Sequence, residues 1–243
     1  MSGLDGWQRS RFESEGIAHD VYRKGSGPGV IICHEMPGLT TGVIGFGEEV
    51  VAAGYTVLLP HLFGPRDVAF SIPRVVAAIP GICISREFTI LAVGKTGRIA
   101  GWLRALAREL HADVGGPGVG ALGMCFTGGF ALAMMVDAPV IAPVLAQPAA
   151  PMPIGSKRAA DLGLSATDLD TVRRRAAAGC EVLGVRYASD SSVGTRFATL
   201  ERELGDRFTS VELEGKGHST LTEQRQERAV DAVLAFFDQQ LRG

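Results

Sequence analysis

The sequence is short of cysteine and nearly without net charge. Its four cysteines, Cys33, Cys83, Cys125 and Cys180, lie far apart among 243 residues, and no CxxC pair occurs. That leaves no framework for a zinc ribbon or a redox dithiol. Basic and acidic residues nearly balance, for a formal charge of -2. Such a balance gives neither a nucleic-acid surface nor a polybasic membrane anchor. No apolar run is long enough to span a bilayer, and the opening "MSGLDGWQRS" has no apolar signal segment. Internal repeats, low-complexity tracts and linkers are missing too. A reduced, cytoplasmic protein is expected, with most thiols packed as small apolar side chains.

What is present is material for a large core. The chain is 46% hydrophobic and 21% charged, and its mean hydropathy is +0.19. Its length suits a single domain over residues 1–243. "RFESEGIAHDVYRKG" alternates about a Glu-Gly turn as a β-hairpin does. "GVIICHE", "YTVLLP", "GVGALGM", "PVIAPVLAQ", "CEVLGVRYAS" and "RFTSVELE" read as strands. The most apolar of them have the pattern of parallel strands covered on both faces. Helical segments come between them. "TTGVIGFGEEVVAAG" has a Thr start and a Gly stop, and "LSATDLDTVRRRAAAG" is capped. "TGRIAGWLRALARELHA" places Ile99, Leu103, Leu106 and Leu110 on one stripe. "FTGGFALAMMVD" and "VGTRFATLERELG" are further helices. The closing helix should bury Val230, Val233, Leu234, Phe237 and Leu241. Only Gly64 to Gly94 lacks a clean period, and it reads as a long loop region with room for one short helix. The alternation predicts an α/β fold, a doubly wound and mostly parallel sheet with helices on both faces.

In such a sheet, sites form where strands end and loops begin. Cys125 stands at that point in "GVGALGMCFTGGFALAM". The spacing G-x-C-x-T-G-G resembles the nucleophile elbow G-x-S-x-G, with a thiol for the hydroxyl. The elbow needs small residues because bulk two positions from the nucleophile would strike the neighbouring strand or helix. Gly123 meets that need; Thr127 departs from it, with Gly128 and Gly129 relieving the helix start. The positive end of a helix dipole favours a thiolate. A lone cysteine in an apolar run is more often a packing residue. Gly118, Gly120 and Gly123 also spell GxGxxG, but a dinucleotide loop must follow its strand, and these glycines lie inside one.

Two further residues lift Cys125 above that base. Asp190 follows the strand "CEVLGVRYAS", and His218 lies in "GKGHST" before the last helix. Nucleophile, acid and histidine in that order, each past a strand end, form the α/β-hydrolase triad. A thiolate is itself a good leaving group, so its adduct collapses backwards unless the departing oxygen is stabilised. An elbow cysteine therefore points to activated esters and enol lactones rather than amides.

These residues, together with "CHEMPGLT", resemble the dienelactone hydrolase family of α/β-hydrolases over nearly the whole chain. The resemblance implies a cysteine nucleophile, Cys125, with Asp190 and His218, and a carboxylate, Glu35, that bonds the resting thiol or takes its proton. The oxyanion hole would be the backbone N–H groups of Met36 and Phe126. Arg86 in "CISREF" resembles an arginine that clamps a substrate carboxylate. The family's second arginine falls where this chain has Thr222, with Arg225 close by but off the matching position. The implied activity is hydrolysis of a lactone or activated ester through a thioester, with no cofactor and no metal; "HE" here lacks the second histidine of a zincin. His34 and His61 are candidate neighbours of the site. Cys33, Cys83 and Cys180 read as core. The implied partner is a small-molecule lactone or ester, with or without a carboxylate, acted on by a monomer or homodimer. A general carboxylesterase or thioesterase on the same triad, and a non-catalytic small-molecule binder, are the alternatives.

Overall fold

In a computed structural model of the protein, residues 3–84, 87, 88 and 93–243 are described, residues 82–84 by their backbone alone. The hairpin comes first: β1 (Gln8–Ser14) and β2 (Ile17–Lys24) pair antiparallel. Their turn is Glu15-Gly16, both residues at positive φ (53° and 73°), the pair of left-handed residues a tight two-residue turn requires. The remaining strands are β3 (Gly29–Cys33), β4 (Thr56–His61), β5 (Val119–Met124), β6 (Val140–Ala146), β7 (Val182–Tyr187) and β8 (Phe208–Leu213). One sheet joins all eight in the order β1-β2-β4-β3-β5-β6-β7-β8. From β4 to β8 every pairing is parallel. This is the doubly wound architecture expected from the alternation.

Side chains alternate across the sheet, and each face collects its own helices. Val30 and Ile32 point to one core with Val57, Leu59 and Leu122, covered by α1 (Thr41–Ala52) and α8 (Glu227–Arg242). Ile31 points the other way, with Leu58, Val119 and Ala121, beneath α3 (Ile99–Val114) and α4 (Gly128–Met134). Further along that face, α6 (Ala166–Ala177) and α7 (Arg196–Leu204) cover Leu145 and Val182. The Ile99, Leu103, Leu106 and Leu110 stripe of α3 is fully inward. Of the residues assigned to the inner face of α8, Val230, Val233, Phe237 and Leu241 are buried, while Leu234 is only half-buried and Phe236 joins the core instead. Caps start two helices where the sequence placed them: Thr40 accepts from Val43 N–H, and Ser165 from Asp168 N–H.

The irregular stretch holds more helix than expected. α2 (Ile72–Ile84) runs for 13 residues with Pro80 inside it. Its apolar residues have no clean inward stripe, and Ile72, Val76 and Ile79 face outward, so periodicity could not find it. A four-residue helix, α5 (Ser156–Ala159), precedes α6. Among the described residues, no helix is long and apolar enough to cross a membrane.

Because β3, β5, β6, β7 and β8 are parallel, their carboxyl ends share one edge. The loops leaving that edge carry Glu35, Cys125, Gln147, Asp190 and His218. The register brings two of these loops side by side, since Cys33 pairs with Gly123.

Candidate active site

Cys125 opens a short 3-10 turn between β5 and α4 and is the sharp corner of the motif, with φ at +52°. A non-glycine residue held there is strained. The surrounding small residues are sterically required. A Cβ on Gly123 would lie 2.1 Å from Thr127 O, and one on Gly128 would lie 2.5 Å from Pro148 Cα. Thr127, the departure from the elbow pattern, has a bonding role. Its buried hydroxyl accepts from Met124 N–H at 3.0 Å and lies 3.0 Å from Cys33 O as donor. One side chain thus stitches the Cys125 turn to the end of β3, from which Glu35 and Met36 follow.

Asp190 lies three residues beyond β7, at the head of a turn over Ser191–Val193. Its Oδ1 accepts from Ser192 N–H at 3.0 Å and from the Ser192 hydroxyl at 2.6 Å. Its Oδ2 accepts from His218 Nδ1 at 2.7 Å. That bond fixes the tautomer of His218 and leaves its other ring nitrogen for the sulfur side. Burial works against a charge on His218, but Asp190 and the neighbouring Cys125 sulfur outweigh it and push the pKa up to about 10. Asp190 shows the reverse balance. Burial would raise its carboxyl, yet His218 and Ser192 hold it below the usual carboxylate range.

Glu35 is the largest surprise for a loop carboxylate, at 2% exposure. Ser219 donates to its Oε2 at 2.8 Å, and Gln147 Nε2 lies 3.4 Å from the same oxygen. The Thr222 hydroxyl donates to Oε1. Burial raises its pKa; the bonds from Thr222 and Ser219, the charge of His218 and the Gln147 amide oppose that rise. Gln147 is itself held by the Thr220 hydroxyl, 2.7 Å from its Oε1. Ligand-type atoms of Glu35, Cys125 and His218 lie within 4.8 Å of one another, so sulfur, imidazole and carboxylate form one cluster. That set has metal-ligand chemistry, but Asp190 already engages the imidazole and three side chains already engage the carboxylate.

The structure therefore brings Cys125, Asp190, His218 and Glu35 together, with Met36 and Phe126 next in chain to Glu35 and Cys125. Arg86 lies outside the described residues, as does the side chain of Cys83. Thr222 has its own partner in Glu35, while Arg225 is turned away and chelated by Glu227 and Glu49. His34 is fully buried with its pKa driven down to about 3, burial being the main cause. Neutral, it bonds Glu35 O through Nδ1 at 3.0 Å and accepts Leu62 N–H at Nε2, also at 3.0 Å. His61, the last residue of β4, bonds Gly64 O at 2.9 Å. Cys33 is buried and Cys180 half-buried at the rim of its core.

Several contributors escaped sequence reading. Ser192, Ser219 and Gln147 are ordinary polar residues near strand ends, and only Gln147 carried a signal, as the polar residue closing an apolar strand. Arg196 is stranger: 1% exposed, it donates to the carbonyls of Asp161 at 2.9 Å, Val193 at 2.8 Å and Arg158 at 3.0 Å, and to that of Pro151. Burial pulls its pKa down to about 10. It ties the turn behind Asp190 to the loop that leaves β6.

A mostly parallel sheet of this order, wound on both faces, with a strained cysteine corner after β5, is the α/β-hydrolase fold. The profile of the Dienelactone hydrolase family matches residues 18–159, more than half of the chain, and the protein belongs to that family. The match takes in Glu35 and Cys125 and ends before Asp190 and His218. Among solved structures, an α/β hydrolase from a Penicillium species aligns with TM-score 0.68 at 12% identity, covering 98% of this chain and 99% of the other. A dienelactone hydrolase from Anabaena variabilis gives 0.67 at 17%, covering 97% and 98%. A dienelactone hydrolase-like promiscuous phosphotriesterase from metagenomic libraries gives 0.64 at 17%, covering 97% and 98%. At such identities these neighbours speak for the fold alone. A comparison with curated proteins gave no match.

Proposed function

We propose that this hydrolase cleaves a lactone or activated ester through a thioester on Cys125. The observation that carries the reading is the cluster of Cys125, His218 and Glu35 within 4.8 Å, backed by Asp190 at 2.7 Å from the far ring nitrogen of His218. His218 takes the proton of the Cys125 thiol, so that the attacking group is a thiolate facing an imidazolium. The thiolate attacks the carbonyl carbon, and the carbonyl oxygen becomes an oxyanion held by the N–H groups of Met36 and Phe126. Collapse breaks the carbon–oxygen bond to the leaving group, which takes its proton from His218. Water then adds to the thioester, giving a proton to the now neutral His218. The second collapse expels the thiolate and releases the carboxylic acid, which restores the starting charges.

Asp190 fixes the ring and supports its charge through the cycle. Glu35, next to the sulfur and raised by burial, stands as a second acceptor for the thiol proton. Its hydrogen-bond donors are neutral, while the charge of nearby His218 opposes the rise.

The test is steady-state turnover of a chromogenic activated ester and of an enol lactone. Cys125→Ala should lower kcat/KM by roughly 10⁴- to 10⁶-fold, and rapid mixing should reveal a thioester burst in the wild type. A Cys125→Ala variant as active as the wild type, or two equally inert proteins, overturns the reading and favours a binding role.

A further inference from the structure

We infer that Ser192 is a positioning residue for the reaction: its hydroxyl bridges Asp190 and His218 and holds the imidazole in the tautomer and orientation that serve the Cys125 sulfur. The inference rests on the hydrolase reading above. The Ser192 hydroxyl donates to Asp190 Oδ1 at 2.6 Å, and the same oxygen lies 2.9 Å from His218 Nδ1. That nitrogen is also 2.7 Å from Asp190 Oδ2. Carboxylate, hydroxyl and imidazole thus close a ring of hydrogen bonds on the Nδ1 side of the histidine.

The chemistry of these groups admits one arrangement of hydrogens. An ionised carboxylate has no proton to give, so the Ser192 hydroxyl hydrogen goes to Asp190 Oδ1. Toward Nδ1 the hydroxyl oxygen then offers only lone pairs. Nδ1 therefore carries a hydrogen, shared between Asp190 Oδ2 and Ser192 Oγ, and Nε2 is the atom left to gain and lose a proton. A single carboxylate oxygen fixes one end of an imidazole but lets the ring tilt about that bond. A second acceptor on a different residue opposes the tilt, as a supporting shell must where small displacements cost rate.

The turn alone does not call for this hydroxyl. The Ser192 N–H already closes the turn onto Asp190 Oδ1 at 3.0 Å, whereas the hydroxyl reaches a side chain 26 positions further along. The scaffold also holds each member in place. The Asp190 side chain is 7% exposed. Behind Ser192, Val193 is fully buried and its carbonyl accepts from Arg196 at 2.8 Å. Gly194 turns the chain at φ +61°, where a Cβ would lie 2.6 Å from Ala159 O. On the histidine side, Gln224 Oε1 accepts the N–H groups of His218 at 3.2 Å and Ser219 at 3.0 Å. With both backbones fastened, what remains free is rotation of the His218 side chain, and the Ser192 hydroxyl opposes it.

The experiment compares full-length wild type, Ser192→Ala, Ser192→Thr and Cys125→Ala on 4-nitrophenyl acetate, with urea unfolding of each. A hydrogen bond to a charged group is worth roughly 10- to 100-fold in rate, so Ser192→Ala should lower kcat by that factor with KM nearly unchanged. Ser192→Thr, which keeps the hydroxyl, should recover most of the loss. In protein with isotope-labelled histidine, the Nδ1–H proton resonance of His218, assigned by its absence in His218→Gln, should move upfield in Ser192→Ala and return in Ser192→Thr. A serine with only a structural role would shift the unfolding midpoint and leave kcat and that resonance alone. Wild-type kcat in Ser192→Ala beside an inert Cys125→Ala overturns the inference and leaves the hydrolase reading standing. So does a loss carried by KM alone, or a resonance that Ser192→Ala does not move. Wild type and Cys125→Ala that are equally inert overturn both.

Discussion

The histidine side of the site and helix α2 are built on opposite principles. On the histidine side, every polar group has a partner: Asp190 accepts from His218 and twice from Ser192, and Glu35 accepts from Ser219, Thr222 and Gln147. Each residue sits a few positions past a strand end, so the sheet sets its place. By contrast, α2 leaves Ile72 at 66% and Val76 at 60% exposure. It carries Pro80, which removes one backbone donor from its own ladder. Fixed dipoles aimed at developing charge need a rigid frame. The strand ends supply that frame, and α2 rests on it.

Three substitutions would break or sharpen that contrast. The largest effect belongs to Asp190→Asn, which should lower kcat/KM by roughly 10²- to 10⁴-fold. It should also move the alkaline limb of the pH–rate profile. His218 stays protonated until about pH 10 in part because of the Asp190 anion. Removing that anion lowers the pKa, so the limb should shift toward neutral pH. A limb that stays put would mean that the carboxylate does not set the histidine's charge.

Thr222→Val comes next. Thr222 gives the strongest of the contributions that oppose the upward pull of burial on Glu35. Without its hydroxyl the carboxyl rises further, and Glu35 is protonated at higher pH. With Glu35 needed as an anion to accept the thiol proton, the acid limb of the profile should move upward, with turnover on that limb falling by up to roughly tenfold. Thr222→Ser should restore the limb. The smallest effect belongs to α2. Val76→Ser should change stability by less than about 0.5 kcal/mol in urea unfolding, since the side chain is already mostly in water. A larger loss would mean that the outer face of α2 is bound more firmly than its exposure indicates.

Most of the fold was legible because its strands are short apolar runs and its helices have single apolar stripes. α2 was not legible, since a helix with apolar residues on its wet side has no periodic signature. Within the site, the legible residues were those with distinctive chemistry at strand ends, Cys125, Asp190 and His218. Glu35 needed the family resemblance, because nothing local in "CHEMPGLT" says that its carboxyl turns inward. Thr222, where the sequence lacks the family's second arginine, was read as a loss. Its meaning depended on a contact 187 positions back along the chain, and no local pattern encodes such a pairing. Arg196 was invisible for the same reason: its partners are backbone carbonyls, which every residue has.

The left-handed backbone at Cys125 has an evolutionary consequence. At most sites alanine is better tolerated than glycine, but a φ of +52° reverses the order, because only glycine reaches it without steric penalty. Under the proposed mechanism, selection for turnover and selection for stability therefore ask for different residues at one codon. A lineage that gave up catalysis while keeping the fold would be released toward glycine at 125. A descendant that keeps cysteine there has kept it against the conformational gradient.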